Sequence, residues 1–396
     1  VPELRFPEFE GEWEEKELGE IFQIISGSTP LKSNKEFYEN GNINWVKTTD
    51  LNNSKVTHSK EKITEYAMKS LKLKLVPKNS VLIAMYGGFN QIGRTGLLKI
   101  DATINQAISA LLMNHETNPE FIQAYLNYQV KGWKRYAASS RKDPNITKKD
   151  IEQFKVPYVS INEQQKIGEF FSKIDDQIEL EEQKLELLQQ QKKGYMQKIF
   201  SQELRFKDEN GDDYPEWEEK KMGEITTMFS GGTPQSTNTR YYKGDIPFIR
   251  SGEISKTYTE MKINEEALNN SSAKLVEVGD LLYALYGATS GEVAISKING
   301  AINQAVLCIR TNESIEFLLN YLFFSKNKIL NTFIQGGQGN LSANIVKNLI
   351  IEIPTIIEQR KIGDFFCNID NLIEIQERKL EFLKQRKQSL LQKMFV

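Results

Sequence analysis

The sequence predicts an α+β protein. Two tandem mixed α/β domains are each followed by a long helix, and the two helices pair as an antiparallel coiled coil. Three observations carry this. The chain is written twice; the end of each copy has the composition and cap of one helix; and the apolar residues of those helices fall at alternating spacings of three and four.

The first copy opens with Glu3-Leu-Arg-Phe6 and Trp13-Glu-Glu-Lys-Glu-Leu-Gly-Glu-Ile21. These return as Glu203-Leu-Arg-Phe206 and Trp217-Glu-Glu-Lys-Lys-Met-Gly-Glu-Ile225. Ser26-Gly-Ser-Thr-Pro30 returns as Ser230-Gly-Gly-Thr-Pro234, and Ile104-Asn-Gln-Ala107 as Ile302-Asn-Gln-Ala305. Solenoid units repeat every 20–50 residues or so, and this period is far longer, so it marks duplicated domains. Residues 1–160 and 203–355 carry short runs of Val, Ile, Tyr and Phe punctuated by Gly, Asn, Pro and Ser, which read as strands and loops with a few helices.

Residues 161–202 and 356–396 contain no Pro and almost no Gly. Each begins with a capping box, Ser160-Ile-Asn-Glu163 and Thr355-Ile-Ile-Glu358. There the hydroxyl accepts from the third amide and the Glu returns to the cap amide. Residues 163–200 align with 358–395 without a gap, with 21 of 38 positions identical, so the two helices are the same element.

The seam of the first helix is Phe171, Ile174, Ile178, Glu181, Leu185, Leu188, Lys192, Tyr195 and Ile199. That of the second is Phe366, Ile369, Ile373, Gln376, Leu380, Leu383, Lys387, Leu390 and Met394. The first helix has six basic and eight acidic residues and the second has eight and six, so opposite net charges favour mutual pairing. A parallel pair would set Lys192 against Lys387. An antiparallel pair centred on Leu185 and Leu380 avoids this and sets Glu181 near Lys387 and Lys192 near Gln376. It also gives the chain an internal pseudo-two-fold axis.

Composition narrows the function. Lys+Arg 51 against Asp+Glu 53 excludes a uniformly basic coat protein, though not local basic faces. Two cysteines, Cys308 and Cys367, fit a reducing cytoplasm, and the isolated His58 and His115 disfavour zinc or His-centred catalysis. No apolar run approaches the ~20 residues of a membrane helix, and the acidic N-terminus lacks a signal-peptide core.

Catalytic motifs fail one by one. The Asn/Asp-Pro-Pro-aromatic string of DNA aminomethyltransferases is absent. Gly88-Phe-Asn-Gln-Ile-Gly93-Arg94-Thr95 misses a P-loop because Arg94 stands where the phosphate-binding Lys belongs. Neither Gly-x-Gly-x-x-Gly, His-Glu-x-x-His nor Cys-x-x-Cys occurs. The reading is a chain with no catalytic residue and no metal site of its own.

The charge map points to DNA. Residues 1–20 hold eight acids and two bases, whereas residues 131–149 hold seven bases and one acid. Lys131, Lys134, Arg135, Arg141 and Lys142 are the candidate phosphate contacts there, interleaved with Trp133 and Tyr136. The matching stretch of the second copy holds three bases, no acid and the polar loop of Gln335, Gln338 and Asn340, suited to base edges. Further candidates follow each Thr-Pro: Lys32 and Lys35 in the first copy, Arg240 and Lys243 in the second. Lys47 and Arg250 are matched bases at strand ends, and Arg94 sits in a Gly-rich turn. Trp45 and Phe248, also matched, read as core.

Over its whole length the chain resembles the specificity subunit of type I restriction-modification systems. The features that carry the resemblance are Leu4-Arg-Phe-Pro with Trp13, Ser26-Gly-Ser-Thr-Pro30, Gly244-Asp-Ile-Pro247 and Tyr86-Gly87. To these add Glu163-Gln-Gln-Lys-Ile-Gly168 and its copy Glu358-Gln-Arg-Lys-Ile-Gly363. The resemblance implies two target-recognition domains on a helical spacer, each reading half of a bipartite, asymmetric site in double-stranded DNA. It implies two modification (methyltransferase) subunits, which carry S-adenosylmethionine, and restriction (translocase/endonuclease) subunits in the full complex. The chain itself is expected to hold no cofactor, to be cytoplasmic and to meet no membrane. Two other readings stay open from the residues alone: a coiled-coil scaffold without DNA readout, and a self-contained DNA-modifying enzyme.

Overall fold

The computed structural model describes residues 2–88, 90–138, 145–333 and 340–395. The chain divides into two units, Val1–Gln183 with Glu377–Val396, and Lys184–Gln376. Each contains one globular domain and part of both long helices, which run Ile161–Phe200 and Ile356–Phe395.

In the first unit a five-stranded sheet runs in the order Gln23–Ser26, Ile108–Leu112, Val81–Ala84, Thr95–Leu98, Ser54–Val56. Strand periodicity divides its side chains between two cores. Val81, Ile83, Leu97 and Leu111 face one that also takes Phe121, Trp133, Ile167 and Phe171 from helices. Leu82, Ala84, Leu98 and Ala110 face another with Val46, Leu51 and Ile104. A central strand buried on both faces needs the unbroken apolar run Val81–Ala84. A smaller sheet pairs Ile43–Val46 antiparallel with Glu61–Ile63 and parallel with Thr103–Ile104, burying Trp45.

The second unit repeats this plan. Its main sheet runs Thr226–Ser230, Val306–Thr311, Leu281–Ala284, Val293–Ile295. Leu281, Tyr283, Leu307 and Ile309 face the helices, while Leu282, Ala284, Val306 and Cys308 face the opposite core. In its smaller sheet Phe248, like Trp45, is core.

The Ser-Gly-x-Thr-Pro segment is set by close approach. A Cβ on Gly27 would lie 1.9 Å from the Ile104 carbonyl oxygen, and one on Gly231 1.8 Å from that of Ile302. Only glycine lets the edge strand leave the sheet so tightly. Gly231→Ala is expected to cost about 2 kcal/mol, read as a fall in the denaturant midpoint. An unchanged midpoint would mean that the backbone yields freely there.

Within each unit the helix segments pair antiparallel. In the first, Lys387 contacts Asp175 and Lys379 contacts Glu181 at 2.8 Å. In the second, Lys192 contacts Asp370 at 2.6 Å, and the Tyr195 and Phe365 rings lie 5.1 Å apart. The direction is the one expected, but the register is not. Lys387 meets Asp175 rather than Glu181, and Lys192 meets Asp370 rather than lying by Gln376. Asp175 and Asp370 sit one position off the seam and reach across to seam lysines, so the same contact forms once in each unit. The seam residues Phe171, Phe366, Leu380 and Leu383 are buried, and Ile174, Ile178, Leu185, Leu188, Ile369 and Ile373 half-buried. Tyr195 is exposed where Met196 turns inward, and Leu391 is more buried than Leu390.

The helix starts also differ from the capping-box reading. Ser160 and Thr355 do accept from the amides of Glu163 and Glu358, at 3.3 and 3.5 Å. The glutamates turn elsewhere. Arg5 donates to Glu163 at 2.7 and 2.9 Å, and the Trp13 indole N–H donates to it at 3.3 Å. Arg205 donates to Glu358 at 3.3 and 2.9 Å. A guanidinium fork satisfies a buried carboxylate better than one amide can, and each pairing raises the arginine's already high pKa further, against the opposing effect of burial.

Candidate nucleic-acid interface

The basic stretch of the first domain begins on a helix, Val130–Ala138, and not in a loop. Its apolar side holds Trp133, fully buried and stacked on Phe154 at 3.8 Å, with Ala137 one turn on. Trp133 is therefore core and not a stacking platform for bases. Lys131 and Arg135 are exposed and Lys134 is half-buried. Four of the candidates, Arg141, Lys142, Gln335 and Gln338, lie outside the described residues.

Both domains take the chain back into the core at the same point. The Ile146 N–H donates to the Met85 carbonyl at 2.8 Å, and the Leu341 N–H to that of Leu285 at 3.0 Å. Both anchors are buried, and Asn340, just before the second, is exposed. Each anchor is therefore held against the residue before a Tyr-Gly pair, Tyr86-Gly87 or Tyr286-Gly287. Both glycines take left-handed backbone angles, φ 125° and 75°, which explains the glycine in the motif.

The P-loop-like string is a hairpin turn between antiparallel strands Val81–Ala84 and Thr95–Leu98. Arg94 is half-buried there, and its Nε donates to the Asn90 carbonyl at 3.1 Å. Gly93 has φ 76°, and a Cβ on it would lie 2.8 Å from Cβ of Trp133, so packing accounts for this glycine.

Lys47 and Arg250 do occupy matched positions, but their charges are already met. Lys47 pairs with Glu61. Arg250 donates to Glu253 at 3.0 and 3.2 Å and to Glu260 at 2.6 Å. The side-chain bonds to Glu253 and Glu260 raise Arg250 further above its ordinary value. Burial pushes Glu253 up, yet the Arg250 bonds and two backbone amides hold it below the usual carboxylate range. These pairs lock short turns. By contrast Lys32, Lys35, Arg240 and Lys243 are exposed, and Lys35 has only the exposed Glu39 at 4.0 Å. Such side chains can reach phosphates with little to give up.

The described residues contain no group of His, Cys, Asp and Glu that could hold a metal ion, and no helix among them is long and apolar enough to cross a membrane. Burial pushes the Cys308 thiol up to about 12, so it fills the core and is no nucleophile. What the described surface offers is exposed cations and amides on a twice-built frame, chemistry suited to holding a polyanion.

Residues 10–190 and 214–385 each match the type I restriction modification DNA specificity domain. The chain belongs to this family. It is a specificity subunit with two tandem recognition domains, and its sequence motifs now have structural reasons. Arg5 and Arg205 hold the glutamates that open the Glu-Gln-x-Lys-Ile-Gly helices. Gln164 and Gln359 accept from the amides of Asn118 and Ser314 at 3.0 and 3.1 Å. A Cβ on Gly168 would lie 2.2 Å from Oδ1 of Asn118. This clamp escaped sequence reasoning, although the paired recurrence of Arg and Glu was a readable signal.

Among relatives, the type I restriction enzyme MjaIX specificity subunit of Methanocaldococcus jannaschii is 24% identical, over 97% of this chain and 92% of its own length. The EcoR124I/EcoR124II specificity subunit of Escherichia coli is 34% identical over 43% of each chain. The crystal structure of a type I S subunit from M. genitalium shares the fold, with a TM-score of 0.65 at 17% identity, covering 100% of this chain and 99% of that one.

Proposed function

We propose that each recognition domain reads one half of a bipartite, asymmetric site in double-stranded DNA. The paired helices fix the unread spacer and dock two methyltransferase subunits. Restriction subunits join in the full assembly. In this reading S-adenosylmethionine and the methylation chemistry belong to the methyltransferase subunits, and this chain supplies recognition.

One observation supports this above others. The two domains share a frame down to the anchors Ile146 and Leu341, yet the stretches leading into those anchors differ in chemistry. One is rich in Lys and Arg, the other in Gln, Asn and Gly. Duplicated frames with divergent polar loops suit two readers of different half-sites. Lys32, Lys35, Lys131, Lys134 and Arg135 in the first domain, and Arg240, Lys243 and Asn340 in the second, are proposed contacts.

The test is an exchange of residues 203–355 for the matching domain of another family member, within the assembled complex. Mapping methylated sites across a host genome should show one half-site changed and the other kept. A change in both halves, or a continuous target in the native complex, would overturn the two-reader proposal.

A further inference from the structure

We propose that the first domain grips a DNA backbone phosphate in a basic cleft beside its Ser-Gly-Ser-Thr-Pro segment, a cleft that the second domain does not share. This rests on the reading of the chain as a DNA-recognition subunit and extends it to a site outside the contacts named above. The cleft has a volume of about 230 Å³. Ser26, Gly27 and Ser28 form one wall, and Lys72, Lys74 and Lys148 project around it. Among the described residues no carboxylate lines it.

Three separate segments build this site. The close approach of Gly27 to Ile104 turns the chain out of the sheet, and the Ser28 N–H donates to the Ile104 carbonyl at 3.0 Å. Both flanking serines are exposed, and the Ser26 hydroxyl also lies 3.3 Å from that of Ser109, where either can donate. The helix Glu65–Ser70 ends in a turn where Lys72 takes a left-handed conformation, φ 50°. Lysine is a poor choice there on backbone grounds, which suggests that its charge is the reason for its presence. Lys148 opens a short helix capped by Thr147. It pairs with Glu152 at 3.3 Å, but both side chains are about half exposed, so this contact is weak and exchangeable.

The second domain shows a similar frame with only one of the three lysines. Thr64 and Asn264 cap equivalent helices, and Thr147 and Ser342 another equivalent pair. Counting from these caps, Lys72 corresponds to Ser272, Lys148 to Ala343 and Lys74 to Lys274. Ser28 corresponds to Gly232, and Ser272 packs so closely there that a Cβ on Gly232 would lie 2.6 Å from Cβ of Ser272.

Three cations and two hydroxyls around an open cleft match the single charge and tetrahedral oxygens of a phosphodiester. The three lysines are exposed. That openness suits a strand passing through better than a small anion, which needs enclosure by amides. Lys148 also lies at the end of the basic stretch that begins at Lys131, so the cleft shares a residue with that run of cations in the chain.

The test is Lys72→Ser with Lys148→Ala, the residues the second domain carries at these positions. The full chain, assembled with methyltransferase subunits, binds a random-sequence duplex across a salt series. The slope of log K against log salt should shrink by about one unit, the signature of one lost phosphate contact, with the thermal midpoint unchanged. If the wild-type complex binds duplex with a steep slope and the variant keeps that slope, the cleft proposal fails and the recognition reading stands. If the wild-type complex binds no duplex, both fail. A parallel titration with inorganic phosphate separates the sources. Saturable phosphate binding lost in the variant, with the DNA slope intact, would make the cleft a small-anion site and overturn the DNA assignment.

Discussion

Lys387→Glu is expected to destabilise the first unit by about 3–5 kcal/mol, the range for a buried ion pair broken from one side. Lys387 and Asp175 are mostly buried, with side chains 15% and 22% exposed. Burial raises the Asp175 carboxyl above its ordinary range even though Lys387 pulls it down. Desolvation thus outweighs the attraction, and the pair sets register more than it adds stability. The raised carboxyl takes up its proton in the folded chain at a pH where the unfolded chain has not yet done so. On acidification through that window this group favours the folded state. The variant sets a second carboxylate against the first, which raises the shared titration further, so its loss of stability should shrink as pH falls. Adding Asp175→Lys should recover most of the midpoint at neutral pH. A double variant no better than the single one would show that these helices pair in another register.

Glu358→Ala is the second large effect, about 3 kcal/mol, because it strands a guanidinium in partly buried surroundings. Glu358 is fully buried, and Arg205 would keep only the Pro215 carbonyl at 2.6 Å and the exposed Glu216 at 3.7 Å. Glu358→Gln preserves an acceptor oxygen and should cost roughly half as much. The segment from Arg205 to Trp217 should loosen, so limited proteolysis within residues 207–216 should accelerate in the alanine variant. Equal digestion of wild type and variant would show that the clamp does not hold this segment.

Local features were legible in the sequence and distant ones were not. The helices announce themselves through caps and heptads, and their direction follows from charge. Their register depends on how far Asp175 and Asp370 reach from positions beside the seam, which no periodicity encodes. The helix that carries the start of the basic stretch was not legible because its lysines hide the four-residue step from Trp133 to Ala137. Lys47 and Arg250 looked available because Glu61 and Glu260 lie on later segments. Lys72 and Lys74 passed unnoticed because the cleft draws on three segments far apart in the chain.

The composition of the first unit also sets an order of events during synthesis. Its aromatic cluster closes around Phe395, whose ring lies 5.6 Å from Phe121, 5.3 Å from Tyr125 and 6.0 Å from Phe171. The Leu4 N–H donates to the Lys393 carbonyl at 2.8 Å. The second unit closes around Phe200 with residues 184–376 alone. On a ribosome making roughly 5–20 residues per second, the N-terminal domain waits on the order of 10–40 s with that aromatic surface uncovered while residues 184–376 are made. The domain translated first is the last to be completed, and during that interval its uncovered aromatic surface is open to chaperone capture, proteolysis and pairing with another nascent copy.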